Sequence, residues 1–315
     1  MRGAANPARP RTPCLRSSSA PAMPPAAAVP RSRALTLVTW DIDGTLLRAT
    51  GDRANALHRA AFTAAWEAVL GQGLDVGAIP HQGSTDPLIL IKGALHAGLA
   101  ASAADLMGGP PPPGGSPPTP PTADSKLGAM VAAMIRFFDA APAGAVAEGL
   151  ELLPGVAALL AALSAREDVL VGLVTGNLAP VAAAKVASLG VGAHFTPSSE
   201  AGGGGGGPLG GFGSDHCSGN YLEPWHDRAE LIRLAGKRAA AAASAAGGGR
   251  VVGRVVHLGD TPYDCAAAVA AGARAVGVCT GVHTRAELLA VEGGVVVVLD
   301  DLSDTAAAMV ALGLE

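Results

Sequence analysis

The sequence predicts an α/β fold in which a parallel sheet is covered by helices on both faces. Short apolar segments rich in β-branched residues alternate along the chain with segments of helical pattern. Such alternation is typical of strands joined by helical crossovers, which makes neighbouring strands parallel. A length of 315 residues allows one large domain or two modest ones, at about 150 residues each.

The first predicted strand is Ala34–Trp40, a short apolar run that ends at an aspartate. Helical composition follows over residues 53–70. A further helix is predicted by four apolar residues at the spacing of one helix face: Val131, Met134, Ile135 and Phe138. The chain between the first strand and Pro154 is therefore predicted to be mostly helical.

Strands and helices alternate regularly after Pro154, which is predicted to open a helix in its first turn. The predicted strands span 169–174, 251–258, 274–279 and 295–299. The predicted helices span 179–189, 263–271, 284–290 and 302–312.

Two low-complexity tracts interrupt this alternation. Residues 108–121 consist mainly of Pro and Gly, and residues 202–207 are consecutive glycines. Neither tract carries enough apolar surface to offset the entropy lost on ordering, so both are predicted to be mobile loops.

Residues 1–33 differ in composition from the rest of the chain. They contain six Arg and several Ser, no Lys and no acidic residue. A leader of this kind, without an apolar centre, is typical of organelle transit peptides and not of secretory signals. We therefore expect import into a chloroplast stroma or another organelle; the alternative is a basic tail on a cytoplasmic protein.

Charge and cysteine content narrow the classes of partner. Without the six leader arginines, the formal net charge of −4 becomes −10. An acidic folded part argues against a nucleic-acid partner, because phosphate backbones are bound by basic patches. No apolar run approaches the length of a membrane span. The four cysteines lack the spacing of a metal site or a disulfide framework. A small molecule remains as the expected partner.

Acidic and hydroxyl residues follow three of the predicted strands, in the segments 41–47 (DIDGTLL), 175–177 (TGN) and 259–264 (GDTPYD). Because the carboxyl ends of parallel strands meet at one edge of a sheet, these side chains are expected to share a crevice. Crowded carboxylates need a cation, and oxygen ligands suit Mg²⁺. A carboxylate can also attack phosphorus, while a second carboxyl nearby serves as acid and base.

In their order and their positions after strands, the three segments resemble motifs I, II and IV of the haloacid dehalogenase-like hydrolase superfamily. The resemblance implies a Rossmann-like core, a Mg²⁺ cofactor and phosphatase activity on a small phosphorylated metabolite. It also implies a core of residues 34–48 and 152–315 and a small helical cap of residues 49–151. A cap at this position is similar to the C1 cap of the phosphoglycolate-phosphatase-like branch.

The resemblance assigns a role to each aspartate. Asp41 matches the nucleophile that becomes phosphorylated. Asp43 matches the general acid and base, and its backbone carbonyl would bind the metal. Asp260 matches a direct Mg²⁺ ligand, and Asp264 matches an outer ligand that does not touch the ion or reaches it through water. Thr175, with the amide that follows it, matches the group that binds the transferring phosphoryl.

Further substrate contacts are expected from two regions. Around the phosphoryl group they are Gly44, Gly176 and Asn177. In the loop 81–87, which resembles the cap loop facing the active site, they are Thr85 and Asp86; the alternative is that this loop is only a turn that begins a helix at Pro87.

The cation that neutralises the nucleophile and the phosphate is expected to be Lys185, on the helix after Thr175. Its context resembles the phosphoglycolate-phosphatase-like branch. Arg228 is expected to contribute less, because the insertion 217–226 separates it from the segment that precedes it in that branch.

Two other functions stay open. A phosphomutase of the same superfamily shares these core residues and differs in its cap. A catalytically silent binding module is the alternative outside enzymes, and the presence of Asp41, Asp43, Thr175 and Asp260 together argues against it.

Overall fold

The computed structural model describes residues 34–51, 53, 55–109, 121–142, 144–198, 207–294 and 296–315. The leader 1–33 and most of the two low-complexity tracts lie outside the described residues, so their predicted properties remain predictions.

Six of the described strands form one sheet, in the order β5-β4-β1-β6-β7-β8, with every neighbouring pair parallel. A two-stranded antiparallel sheet pairs β2 with β3. The strands are β1 (Ala34–Trp40), β2 (Leu47–Ala49), β3 (Leu150–Leu152), β4 (Val169–Thr175), β5 (Gly210–Phe212), β6 (Val251–Gly259), β7 (Arg274–Val278) and β8 (Val296–Leu299). The predicted α/β fold class is confirmed, and the sheet is Rossmann-like.

Ten helices accompany these strands in the described part of the chain. They are α1 (Ala56–Leu70), α2 (Asp86–His96), α3 (Ala103–Met107), α4 (Lys126–Asp139), α5 (Val156–Ser164), α6 (Ala179–Ser188), α7 (Trp225–Ala245), α8 (Pro262–Ala270), α9 (Arg285–Leu289) and α10 (Thr305–Leu312). None of them combines the length and the apolar character that crossing a membrane requires.

The start of α5 differs from the prediction. The helix begins at Val156, and Pro154 precedes its N-cap instead of occupying its first turn. The N-cap is Gly155, at φ 79°, where a Cβ would lie 1.8 Å from the Leu302 carbonyl oxygen. The chain therefore turns left-handed at Gly155 before it becomes helical, which is a conformation that glycine adopts at little cost.

Apolar side chains form a layer on each face of the parallel sheet. Successive residues of β1 point to opposite faces: Val38 joins the layer that includes α5, α6 and α10, and Leu37 joins the layer that includes α7 and α8. Helices α1, α2 and α4 share a third apolar cluster, built around Trp66 and Leu90. The β2–β3 pair lies where the chain enters and leaves this helical segment.

Candidate active site

The strand order places the three predicted segments side by side. β1 lies between β4 and β6, so the residues that follow these strands meet at one edge of the sheet. A cavity of about 350 Å³ opens at this edge. The sheet contributes these wall residues: Asp41, Asp43, Gly44, Thr175, Gly176, Asn177, Asp260 and Thr261. Helices α1 and α2 and the loop before α2 cover the other side of the cavity.

Three buried carboxylates converge beside the cavity. Asp41, Asp260 and Asp264 each offer an oxygen within 4.8 Å of the other two. Burial, together with the neighbouring carboxylates, raises the pKa of Asp41 to about 6 and the pKa of Asp260 to about 8. Burial opposes ionisation of Asp264 too, but the Arg228 charge and contact with His257 hold the pKa of this carboxyl below its ordinary value.

The residues around Asp260 fit a bound divalent cation. Within the described chain Asp260 has no ion pair, and the hydrogen bond recorded for its carboxylate comes from the Thr45 hydroxyl at 3.1 Å. Two glycines leave the carboxylate room: a Cβ on Gly44 would lie 2.4 Å from Asp260 Oδ2, and a Cβ on Gly281 would lie 1.8 Å from it. An all-oxygen donor set of this kind suits Mg²⁺.

Asp264 has a structural role as well. Thr261 is the N-cap of α8, and the side chains of Thr261 and Asp264 form a reciprocal capping box. Pro262 occupies the first position of the helix, as the sequence Thr-Pro-Tyr-Asp favours. This capping box holds the Asp264 carboxylate close to Asp41 and Asp260.

Arg228 is the cation that contacts the predicted nucleophile. Its Nη1 lies 2.9 Å from Asp41 Oδ1 and 2.8 Å from Asp264 Oδ1, and the side chain is buried. This differs from the expectation, which gave Lys185 that place and Arg228 a minor one. The reason is that α7 packs against the face of the sheet opposite to α6, and its first turn reaches the sheet edge beside Asp41.

Lys185 contacts Asp43 instead. Its ammonium donates to both Asp43 oxygens, at 2.8 and 2.7 Å, and Asn177 Nδ2 donates to Oδ2 at 2.9 Å. Although burial opposes ionisation, the Lys185 charge and these hydrogen bonds lower the pKa of Asp43 below its ordinary value. Asp43 is therefore a carboxylate in this arrangement.

The segment after β4 presents a hydroxyl to the cavity. Thr175 Oγ1 accepts from the Asn177 side-chain amide at 2.8 Å and from the Asn177 backbone amide at 3.3 Å. Because both contacts use the oxygen as acceptor, the Thr175 hydroxyl proton is available to a phosphoryl oxygen. The loop 81–87 packs against Gly176: a Cβ on this glycine would lie 2.5 Å from the Ser84 carbonyl oxygen.

The two residues predicted from the cap loop do not face the cavity in the expected way. Thr85 is buried, is the N-cap of α2 and is absent from the cavity wall. Asp86 borders the cavity, but its Oδ2 accepts from the Leu178 amide at 3.0 Å and from His58 Nε2 at 3.2 Å. α2 begins at Asp86, one residue before the predicted start at Pro87, and its N-cap Thr85 makes no side-chain capping hydrogen bond.

Sequence reasoning missed several residues of the site. His58 borders the cavity, and its Nε2 lies 3.2 Å from Asp86 Oδ2. His257 lies behind the carboxylates, with Nδ1 3.0 Å from Thr39 Oγ1 and Nε2 3.6 Å from Asp264 Oδ1. Neither position carries a pattern that sets it apart from a packing histidine.

Thr280 and Gly281 did carry a signal. A Thr-Gly pair stands just after β7, and another stands at the end of β4 as Thr175-Gly176, so a fourth strand end could have been included in the prediction. The Thr280 hydroxyl donates to the Gly44 carbonyl oxygen at 2.6 Å, which supports the turn after Asp43, where Gly44 has φ 91°.

Comparison with known proteins gives one family match. A family model described as HAD-hydrolase-like matches residues 233–305. A search of the curated proteins found no match.

Similar solved structures include a hydrolase from Pseudomonas syringae, at 17% identity and a TM-score of 0.48, over 87% of this chain and 97% of that one. A haloacid dehalogenase-like family hydrolase from Streptococcus pneumoniae has 17% identity and a TM-score of 0.43, over 88% and 99%. CbbY from Rhodobacter sphaeroides, in complex with phosphate, has 19% identity and a TM-score of 0.42, over 86% and 96%.

Proposed function

We propose that this chain is a haloacid dehalogenase-like hydrolase, in line with the family model that matches residues 233–305, and that it is a Mg²⁺-dependent phosphatase that hydrolyses a small phosphorylated metabolite through an aspartyl-phosphate. One observation carries the proposal. Asp41 lies buried between a cation and two further carboxylates, at the base of a cavity that also presents Thr175 and Asp43. These are the groups that phosphoryl transfer to a carboxylate needs.

In the first step, Asp41 attacks phosphorus and the bond from phosphorus to the ester oxygen breaks. Arg228 holds Asp41 Oδ1 at 2.9 Å, so the carboxylate is oriented before the substrate arrives. Asp43, which is a carboxylate before substrate binds, takes up a proton from the monoprotonated phosphate ester and passes it to the leaving oxygen as that bond breaks. The product alcohol leaves, and the phosphoryl group stays on Asp41.

In the second step, water attacks the phosphorus of the aspartyl-phosphate, and the bond to Asp41 breaks. Asp43 removes the proton from the attacking water, which restores the proton it gave away in the first step. The lowered pKa of Asp43 beside Lys185 and Asn177 fits the carboxylate form that this removal requires.

Several groups stabilise the negative charge of the transferring phosphoryl group. The Thr175 hydroxyl is positioned to donate to a phosphoryl oxygen. Asp41, Asp260, Asp264 and the backbone carbonyl of Asp43 would hold Mg²⁺, which neutralises phosphate charge when it is bound.

The cap domain that we propose, helices α1–α4, limits the size of the substrate and excludes water. Its cavity wall combines apolar side chains such as Phe62 and Ile89 with polar ones such as His58 and His81. A cavity of about 350 Å³ suits a small metabolite as substrate and not a protein.

The test is hydrolysis of p-nitrophenyl phosphate by the purified full chain, with Mg²⁺ and with excess EDTA. A panel of phosphorylated metabolites follows, with detection of both inorganic phosphate and isomerised sugar phosphate. We expect Mg²⁺-dependent phosphate release. Isomerisation without phosphate release would replace the phosphatase with a mutase, and no turnover of any panel member would overturn the proposal.

A further inference from the structure

The first residue of α2 binds the segment that follows β4. The Asp86 backbone amide donates to the Gly176 carbonyl oxygen at 2.8 Å. The Asp86 carboxylate accepts from the Leu178 backbone amide at 3.0 Å. Asp86 thus makes two hydrogen bonds, one through its backbone and one through its side chain, to residues on either side of Asn177.

The same carboxylate oxygen also binds α1. His58 Nε2 donates to Asp86 Oδ2 at 3.2 Å, and the His58 ring stacks on Phe62 and meets the edge of Phe138. The Asp86 side chain is only 4% exposed. One buried oxygen therefore joins two cap helices to the phosphate-binding segment, and hydrogen bonds to a buried carboxylate are stronger than those between neutral groups.

Close backbone packing holds this segment from both sides. A Cβ on Gly176 would lie 2.5 Å from the Ser84 carbonyl oxygen of the cap loop. A Cβ on Gly213 would lie 2.1 Å from the Gly176 carbonyl oxygen, and the Gly213 amide donates to the Asn177 carbonyl at 2.9 Å. Residues 176–178 are consequently enclosed between the cap loop and the chain that follows β5.

Two groups of the proposed mechanism depend on where Asn177 lies. Its side-chain amide donates to Asp43 Oδ2 at 2.9 Å and to Thr175 Oγ1 at 2.8 Å. A shift of residues 176–178 would therefore move Asn177 relative to Asp43, the proposed acid and base, and relative to Thr175, the proposed phosphoryl-binding hydroxyl. A misplacement of about 1 Å in such a group can reduce turnover by about 100-fold.

We propose that Asp86 is a positioning residue: it fixes residues 176–178 to the closed cap and thereby orients Thr175 and Asp43 for every substrate, without contacting the leaving group itself. This inference rests on the proposed phosphatase function. The sequence analysis predicted that Asp86 contacts the substrate; here its carboxylate binds Leu178 and His58 of the protein instead.

The test compares Asp86→Ala and Asp86→Asn with Asp105→Ala, in the full chain. Asp105 is an exposed cap residue that completes the capping box of α3, so its replacement is a matched loss of a helix-N-terminal aspartate. The Asn side chain keeps an oxygen that accepts from the Leu178 amide. It therefore serves as the conservative variant, and as the second one if Asp86→Ala does not fold.

Two readouts, kcat and amide hydrogen exchange, are expected to change together. For Asp86→Ala, kcat falls by about 10-fold to 100-fold, with the same factor for p-nitrophenyl phosphate and for metabolite substrates, and KM stays within about threefold. Amide hydrogen exchange rises in the peptide that spans 174–180. Asp86→Asn recovers a large part of both effects, and Asp105→Ala shows neither.

If the factor by which kcat falls in Asp86→Ala differs between substrates with different leaving groups, the proposal is overturned in favour of a substrate contact. A lowered melting temperature with unchanged kcat would overturn it in favour of a purely structural role. If the wild-type chain hydrolyses nothing, the proposed function fails, and hydrogen exchange together with inorganic phosphate binding still decides whether Asp86 holds the segment. Unchanged exchange over 174–180 would overturn the inference in that case too.

Discussion

The Lys185 ammonium donates to both carboxylate oxygens of Asp43, at 2.8 and 2.7 Å. Arg228 makes the corresponding contact to Asp41, two residues earlier in the chain. The two cations are thus divided between the two aspartates. They also differ in what surrounds them, because the Asp43 side chain is 37% exposed whereas that of Asp41 is 8% exposed.

Replacing each cation by Met is expected to separate these two environments. Arg228→Met leaves Asp41 and Asp264 buried without a cation, which should cost about 3–5 kcal/mol of the free energy of unfolding. Lys185→Met should cost less of the free energy of unfolding, since the Asp43 side chain is partly exposed to water. It should still lower kcat at least tenfold or so, because it removes the cation that positions the acid and base. Urea unfolding and p-nitrophenyl phosphate hydrolysis measure both. Equal losses of stability would contradict the division.

Asp41→Asn should abolish turnover and leave the fold intact. The substitution keeps the size of the side chain and removes the nucleophilic charge, and it also relieves repulsion with Asp260 and Asp264. Far-ultraviolet circular dichroism and phosphate release are the measurements. Asp124→Asn, at an exposed position, is the matched control. Unchanged activity in Asp41→Asn would remove this residue from the mechanism.

Removal of Mg²⁺ should destabilise the protein more at high pH than at low pH. The pKa values of Asp41 and Asp260 are raised from 3.8 to about 6 and about 8, so between these values the folded state holds protons that the unfolded state has lost. Stability of the metal-free protein therefore falls as pH rises from about 4 to about 8. Asp43 and Asp264, with lowered pKa values, act in the opposite direction only below about pH 4.

Mg²⁺ replaces these protons, so its stabilising effect should grow over the same interval. Melting temperatures in Mg²⁺ and in EDTA, measured at several values between pH 5 and pH 8, test this. A difference in melting temperature that does not change with pH would show that the two carboxylates do not bind the ion.

Gly281→Ala should weaken Mg²⁺ binding, because the added methyl would lie 1.8 Å from Asp260 Oδ2 and must displace the carboxylate. We expect at least a tenfold loss of affinity, in line with the 1–3 kcal/mol or so that overpacking costs. The Mg²⁺ concentration that gives half of the thermal shift is the readout. Gly236→Ala, in α7, is the control, since its methyl would make an ordinary 3.7 Å contact with Val255 of β6 and should stabilise the helix slightly.

Local sequence patterns predict the strands of the site and the polar residues at their ends. β1, β4 and β6 are apolar runs whose pattern is local, and a polar residue stands at or just after the end of each: Asp41, Thr175 and Asp260. Parallel pairing then requires Asp41, Thr175 and Asp260 to meet, since carboxyl ends of neighbouring parallel strands lie at one edge.

Which cation meets which aspartate depends on how the helices pack against the sheet. Lys185 and Arg228 lie on helices that cover opposite faces of the sheet, and no local pattern states which face each helix covers. β5 shows the same limit: Gly210, Gly211 and Phe212 have no strand signature, and they pair with β4 because α7 packs over them. These contacts join residues far apart in the chain, so their partners are settled by packing and not by periodicity.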